Sequence, residues 1–380
     1  MFVGLLAVTV LSGLHQKDPF DVLHDPNQFP IAVWLQDPSN AGKYQAAGFN
    51  VYIGLWQGPT EDQLNALKKA KMPVICEMNQ VGKDHKADPT IVGWMHGDEP
   101  DNAQPITDPK TGQSGYGPCI PPERIVADYR KMKAADPTRP IILNLGQGVA
   151  NDEWIGRGNG SSLKDYETYI HGGDIVSFDI YPIAGLSKPN PEDYLWYVPK
   201  GLDRLSEWMK GKGRRWNCIE CTRIDGNRKA TPEQVCSEVW MSIIHGTSGL
   251  IYFVHQFKPT FDEHALLDDP EMLKSVADQN HQIQELAPIL NSPTVNSGYE
   301  LHTANLDCPV DSMAKRVGNQ LYLFTVGMRN RPEEVTIRLT GERKGKSVTV
   351  INESRHIAIH NGTFSDSFTP YQPHIYRIDL

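Results

Sequence analysis

The chain has 380 residues, 39% of them hydrophobic and 22% charged, with a formal net charge of -9. That length exceeds one ordinary domain and suits a barrel of roughly 250 residues carrying an appendage. An acidic balance argues against a nucleic-acid partner, and no run approaches the roughly 20 apolar residues of a membrane span, so no transmembrane segment is expected.

Residues 1–20 open with the apolar run MFVGLLAVTVLSG, which ends in small residues as a secretion signal does but lacks the basic start. Two readings stand: a cleaved signal, which places the mature chain outside the cell or in the periplasm, or an N-terminal arm on a cytoplasmic protein. Asn159, Asn352 and Asn361 each open a glycosylation triplet, a pattern too common by chance to decide between them.

Residues 28–290 alternate short β-branched or apolar runs with longer helical stretches, the pattern of a parallel sheet built from βα units. Eight strands are expected, at Ile31–Gln36, Asn50–Trp56, Pro73–Asn79, Ile91–Glu99, Pro140–Gly146, Asp174–Ile183, Arg215–Thr222 and Gly249–Gln256. Helices are expected at Glu61–Ala70, Pro122–Ala135, Asp193–Lys210, Pro232–His245 behind a Thr231 cap, and Pro270–Leu286. This is the order of a (β/α)₈ barrel, a TIM barrel of the α/β class. The stretches after the fourth and fifth strands, Pro100–Pro121 and Gly146–Gly173, are long and irregular. In such a barrel the loops after strands build the catalytic face.

Beyond Asn291 the pattern changes to closely spaced alternating strands, including Gln320–Val326, Glu334–Leu339, Ser347–Ile351 and His374–Ile378. Residues 295–380 therefore read as an all-β sandwich, expected to pack on the barrel without supplying a catalytic group.

The six cysteines are too few and too scattered for a disulfide scaffold. Cys218 and Cys221 have C-x-x-C spacing, but residues three apart on a strand point to opposite faces, so they read as buried packing residues and not as a zinc site. No H-E-x-x-H motif and no histidine group at ligand spacing occurs, and neither metal nor cofactor is expected.

Three acids stand at the ends of expected barrel strands: Glu99 in GDEPD after the fourth, Asp179 in SFDIYPI on the sixth, and Glu220 in CIECT on the seventh. A carboxylate in or beside an apolar strand costs several kcal/mol of desolvation if unpaired, on the order that demands a compensating role. Strand alternation puts Ser177, Asp179 and Tyr181 on one face with Val176, Phe178 and Ile180 on the other. On the seventh strand it groups Trp216, Cys218, Glu220 and Thr222. Asp179 and Glu220 are thus both expected to look into the barrel mouth.

The strand-four Asp98-Glu99-Pro100, the strand-seven glutamate and the strand-six Tyr181 together resemble the clan A retaining glycoside hydrolases, over about two thirds of the chain. The resemblance implies a glycosidase acting on a β-linked poly- or oligosaccharide. Glu99 would be its acid/base, Glu220 its nucleophile, and Tyr181 a hydrogen-bond donor to that nucleophile. Where the clan usually has Asn before the acid/base, this chain has Asp98, and the strand-eight run IYFVHQF lacks the usual tryptophan.

Asp98, Asp179, Glu77, Asn144, His255 and Gln256 are the candidate polar contacts to a sugar. Trp56 is the candidate stacking platform, with Trp154 beside another loop. Trp34 and Trp94 are expected to face the helices. Alternatives remain for each acid. Glu99 could cap a turn, Glu220 could pair with Arg214, Arg215 or Arg223, and Asp179 could hold a neighbouring arginine. The rival functions are a non-catalytic carbohydrate-binding barrel and an inverting glycosidase with a different acid pair.

Overall fold

The computed structural model describes residues 18–158, 162–340 and 345–380. The apolar N-terminal run and the Asn159 triplet lie outside them.

Eight parallel strands form the barrel: Ile31–Trp34, Val51–Ile53, Val74–Glu77, Ile91–Met95, Ile141–Leu145, Ile175–Phe178, a seventh in two pieces at Arg214–Arg215 and Asn217–Glu220, and Leu250–Phe253. The first piece of the seventh pairs with the sixth strand and the second piece with the eighth, which itself pairs with the first. Trp216, between the pieces, still donates its N–H to Val176 O at 2.9 Å, so the ring closes. The strands are largely apolar on both faces because one face lines the barrel and the other meets helices. Ala32, Ile53, Ile75, Met95, Ile142 and Trp216 pack inside, while Val33, Cys76, Leu143 and Phe178 join the layer beneath the helices.

The helix Glu61–Ala70 begins at a capping box in which Thr60 and Gln63 satisfy each other's backbone N–H groups. Thr231 and Gln234 do the same for Pro232–Ile244. Asp193 falls in a 3₁₀ turn, Pro191–Tyr194, and the helix expected from it begins at Tyr197 and ends at Trp208. The last barrel helix runs from Pro270 to Leu290 and carries Pro288 near its end, where burial of Ala287 and Leu290 offsets the lost N–H. No helix among the described residues is long and apolar enough to cross a membrane.

The C-terminal region is a sandwich. Its larger antiparallel sheet contains Val310–Val317, Gln320–Gly327, Pro373–Asp379, Ser347–Val350 and Arg355–Ala358, edged by Thr294–Val295. Its smaller sheet contains Tyr299–Thr303, Glu333–Leu339 and Thr363–Phe368. Leu323, Val348 and Ile378 of the larger sheet meet Val335, Ile337 and Phe364 of the smaller in one core. The outer face of the larger sheet is apolar too, because it covers barrel helices: Phe324 stacks on Trp240 at 5.8 Å, and Tyr322 and Ile375 join the barrel's outer core. At the edge of this seam His245 bridges Asp203 of the barrel, at 2.9 Å, and Asp311 of the sandwich, at 3.1 Å.

Candidate active site at the barrel mouth

A cleft of about 720 Å³ opens at the carboxyl ends of the strands. Trp34, Leu35 and Gln36 line one side, Trp56 and Asp98 another, and Phe253, His255, Phe257 and Phe261 a third. The side chains of Phe253, His255, Phe257 and Phe261 form a continuous wall, with neighbouring ring centroids 5.2 to 6.3 Å apart. Trp56 is 69% exposed and Phe261 63%, an unusual display of apolar surface for residues with no core to pack against. Such rings suit the C–H faces of pyranoses. No residue of the sandwich lines this cleft among the described residues.

Asn144, at the end of the fifth strand and buried, organises the acids. Its Nδ2 donates to Asp98 Oδ1 at 2.9 Å and to Asp179 Oδ1 at 2.8 Å. Its Oδ1 accepts from Ser177 Oγ at 2.7 Å, and the Cys218 thiol approaches at 3.5 Å. The two aspartate oxygens are therefore no farther apart than these two bonds laid end to end. Asp179 is held in register by its own N–H, which donates to Leu145 O at 2.9 Å. Burial, followed by the Glu99 and Asp98 carboxylates, raises the Asp179 carboxyl well above its ordinary range. The Tyr181 hydroxyl sits in the field of Asp179, Asp98 and Glu99, is buried, and makes no hydrogen bond. A buried hydroxyl without a partner is costly unless something else uses it.

The rim is strained. Leu35, Gln57, Glu99, Tyr181 and Ile224, following strands one, two, four, six and seven, all have φ between 42° and 53°. Bulky residues in the left-handed region cost about 1–3 kcal/mol each and collect where function over-determines the backbone. Under the strand-four turn, Asp101 is wholly buried and accepts from Tyr166 Oη at 2.6 Å and Gly146 N at 2.9 Å. Burial pushes its carboxyl up to about 6.

Glu220 does not join this cluster. It has no exposed surface, its Oε1 accepts from Ile183 N and its Oε2 from Ala184 N, both at 2.7 Å, and its carboxyl meets that of Glu238 on the helix Pro232–Ile244. Among the described residues the alternative of an arginine partner is not found either. The expected Tyr181–Glu220 hydrogen bond is absent, because the Tyr181 ring leans on Phe253 at 5.5 Å and its hydroxyl faces Asp179. Gln256 turns away from the mouth into a separate hollow beside Thr222 and Lys229. Glu77 ends the third strand exposed, and Trp154 is 40% exposed on a turn; neither lines the cleft. His255 does line it, its Nε2–H donating to Leu35 O at 3.1 Å, and burial lowers its imidazole below the ordinary range. Trp34 packs inside the barrel and lines the cleft, against expectation, whereas Trp94 does face the helices and donates to Asp136 Oδ2 at 2.9 Å. Sequence reasoning does not single out Phe257 and Phe261, although the three phenylalanines of FVHQFKPTF, at the end of the eighth strand and in the loop beyond it, are a legible signal.

Cys218 packs inside the barrel and Cys221 outside it, and all six cysteines are free. On the loop after the eighth strand, Asp262, His264 and Asp268 bring one ligand atom each within 4.8 Å of one another, the grouping among the described residues most suited to a cation. His264 stands 3.7 Å from Asp262 and 3.5 Å from Asp268, the spacing of an ion-paired trio.

No protein-family model matches the sequence, and no curated protein matches it. Solved structures do. AmyP in complex with maltose superposes with a TM-score of 0.52 at 9% identity, over 96% of this chain and 99% of that one. An alpha-amylase from Lactobacillus plantarum gives 0.51 at 11%, over 95% and 100%. A putative alpha-galactosidase from Bacteroides fragilis gives 0.51 at 11%, over 93% and 80%. The chain thus shares with these proteins the architecture of a TIM barrel followed by a β domain.

Proposed function

We propose that the chain is a glycoside hydrolase whose working carboxyls are Asp98 and Asp179, with Glu99 as the third acid that keeps Asp179 protonated. The observation that carries this is the convergence of Asp98 and Asp179, from strands four and six, on the Asn144 amide, with Glu99 acting on Asp179, beside an aromatic-walled cleft that Asp98 lines. Glycoside hydrolysis needs one carboxyl that holds a proton for the leaving oxygen and one that is ionised. Asp179, raised by burial and by two like-charged neighbours, suits the first role. Asp98, on the cleft surface and holding one Asn144 N–H, suits the second. Their closeness across a single amide favours a covalent, retaining route, since inversion leaves room for a water with carboxyls about 6.5–9.5 Å apart. Trp56, Phe257 and Phe261 would bind the sugar faces, and the Tyr181 hydroxyl would find its partner in the substrate or the reacting carboxylate.

The structural neighbours bear names that denote cleavage of glycosidic bonds, which agrees with this reading at the level of reaction class. The β-linkage expected from the resemblance goes with Glu99 and Glu220 as the reacting pair, whereas this reading uses Asp98 and Asp179. The substrate panel therefore spans α- and β-linked polysaccharides and aryl glycosides. Unmodified protein should release a product of retained anomeric configuration from at least one of them. Asp179→Asn should lose about 10²- to 10⁴-fold with poor leaving groups and much less with good ones, whereas Asp98→Asn should lose activity on all. Unimpaired turnover in either variant removes the pair, and sugar binding without turnover by the unmodified protein would make this a carbohydrate-binding barrel instead.

A further inference from the structure

Glu220 and Glu238 have no part in the chemistry proposed above, yet a pair of buried carboxyls is expensive to keep. Glu220 is the last residue of the seventh strand and Glu238 lies on the helix behind it; they are 0% and 1% exposed. Both oxygens of Glu220 are taken by the backbone N–H groups of Ile183 and Ala184. Among the described residues neither oxygen of Glu238 meets a donor, and its side-chain partner is Glu220. Cys221 and Tyr252 are the titratable groups facing the pair, with Cys236 near Tyr252, and Asp269 and Lys229 also acting on Cys221. Two carboxyls in contact in a dry site cannot both be ionised. Burial raises both carboxyls, Glu220 to about 7 and Glu238 well above its ordinary range; Glu220, with two N–H donors, is the one that ionises first, and Glu238 keeps its proton and shares it with Glu220 in a hydrogen bond.

We propose that Glu220, braced by protonated Glu238, is a positioning residue that fastens the turn after the sixth strand and so aims Tyr181 and Asp179 at the cleft floor. The turn has no helix or sheet of its own to hold it. Tyr181 adopts a φ of 45°, its carbonyl accepts from Gly185 N at 2.7 Å, and the next two N–H groups along the turn are the ones Glu220 takes. A left-handed tyrosine persists only if its surroundings hold it. The Glu220 carboxylate is that hold, and Asp179 lies two residues upstream of Tyr181. The effect on turnover rests on the glycosidase reading; the brace itself does not.

The test uses the full chain with two readouts, amide hydrogen exchange at Ile183 and Ala184 and steady-state kinetics. In Glu220→Gln one oxygen becomes an N–H₂ facing an N–H, so exchange in the turn should accelerate and kcat should fall roughly 10- to 100-fold at nearly constant KM, the effect of a misplaced reacting group. Glu238→Gln supplies a permanent donor, so exchange should match the unmodified protein and kcat should stay within about threefold. Its alkaline fall-off should also lack any contribution from the pair, since Gln cannot lose the proton. Unaltered exchange in Glu220→Gln overturns the brace, as does trapping of a 2-deoxy-2-fluoroglycosyl adduct on Glu220, which would make it the nucleophile. If Glu220→Gln does not fold, Glu238→Leu removes the donor alone; faster exchange at Ile183 and Ala184 then supports the brace and unchanged exchange overturns it. A protein that turns over nothing sinks the glycosidase reading and leaves exchange to decide the brace.

Discussion

Replacing Asn144 with leucine keeps the side-chain volume and removes the amide on which the proposed site is hung. Leucine cannot donate to Asp98 or Asp179, and it leaves the Ser177 hydroxyl without the acceptor it reaches at 2.7 Å. Leaving a buried acceptor without its donor costs about 1–3 kcal/mol, and water can replace the bond to Asp98 at the cleft surface but not the one to the more enclosed Asp179. One full loss therefore counts, and kcat/KM should drop by roughly 5- to 150-fold. The pH profile adds a second signature. Asp179 must carry its proton to act as an acid, so activity falls as pH rises through its elevated pKa. The Asn144 bond is among the contacts that lower that value, so removing it pushes the value higher and moves the alkaline limb to higher pH even as the rate falls. Rates for the most responsive substrate across pH, with melting curves to confirm folding, make the measurement. A variant within twofold of the unmodified protein, its alkaline limb unmoved, would refute the role given to Asn144 and with it the pairing of Asp98 and Asp179.

Trp56→Ala should raise KM for oligosaccharides by roughly 2- to 12-fold at nearly constant kcat, since an exposed stacking contact contributes about 0.5–1.5 kcal/mol to ground and transition states alike; a fall in kcat at unchanged KM would place the ring in the chemistry instead. His245, between Asp203 and Asp311, is raised from 6.5 to about 9, so its tie across the seam stabilises fully below pH 6.5 and is lost as pH rises through 9. With both aspartates partly exposed the gain is small, and His245→Leu should lower the melting temperature by roughly 2 °C at pH 6 and leave it unchanged at pH 10. Equal shifts at both pH values would mean that packing, not charge, explains the loss.

Much of the barrel was legible because its signals are local. Alternation over a few residues marks each strand, and Thr60, Thr231, Pro122 and Pro270 mark helix starts by capping chemistry that involves only neighbours in sequence. Where the reading slipped, tertiary contacts had outvoted local preference. Ala41–Ala46 and Gln80–Asp84 are helices of 6 and 5 residues, too short to show a period. The sandwich strands Val310–Val317 and Thr363–Phe368 hide because they include Asp, Ser and Lys at positions that face the seam or solvent.

At the site, facing was legible but reach was not. Alternation correctly grouped Ser177 and Asp179 against Val176 and Phe178, and it put Trp216 and Cys218 inside the barrel. It fails for Glu220 because that residue ends its strand, and beyond a strand end the environment is set by whatever loop crosses it. Here the crossing segment is the turn after the sixth strand, and its left-handed Tyr181 brings two N–H donors onto the carboxylate from 36 and 37 residues away in sequence. Nothing in CIECT announces those donors. Asn144 illustrates the converse. An asparagine in an apolar strand, IILNL, has an unmet need for partners on both ends of its amide, so its presence predicts a polar network even though the network's members come from strands four, six and seven. The buried amide, more than any one acid, is thus the residue from which the mouth of this barrel could have been reconstructed, because an amide needs acceptors and donors together whereas a lone glutamate is satisfied by any pair of N–H groups that passes over it.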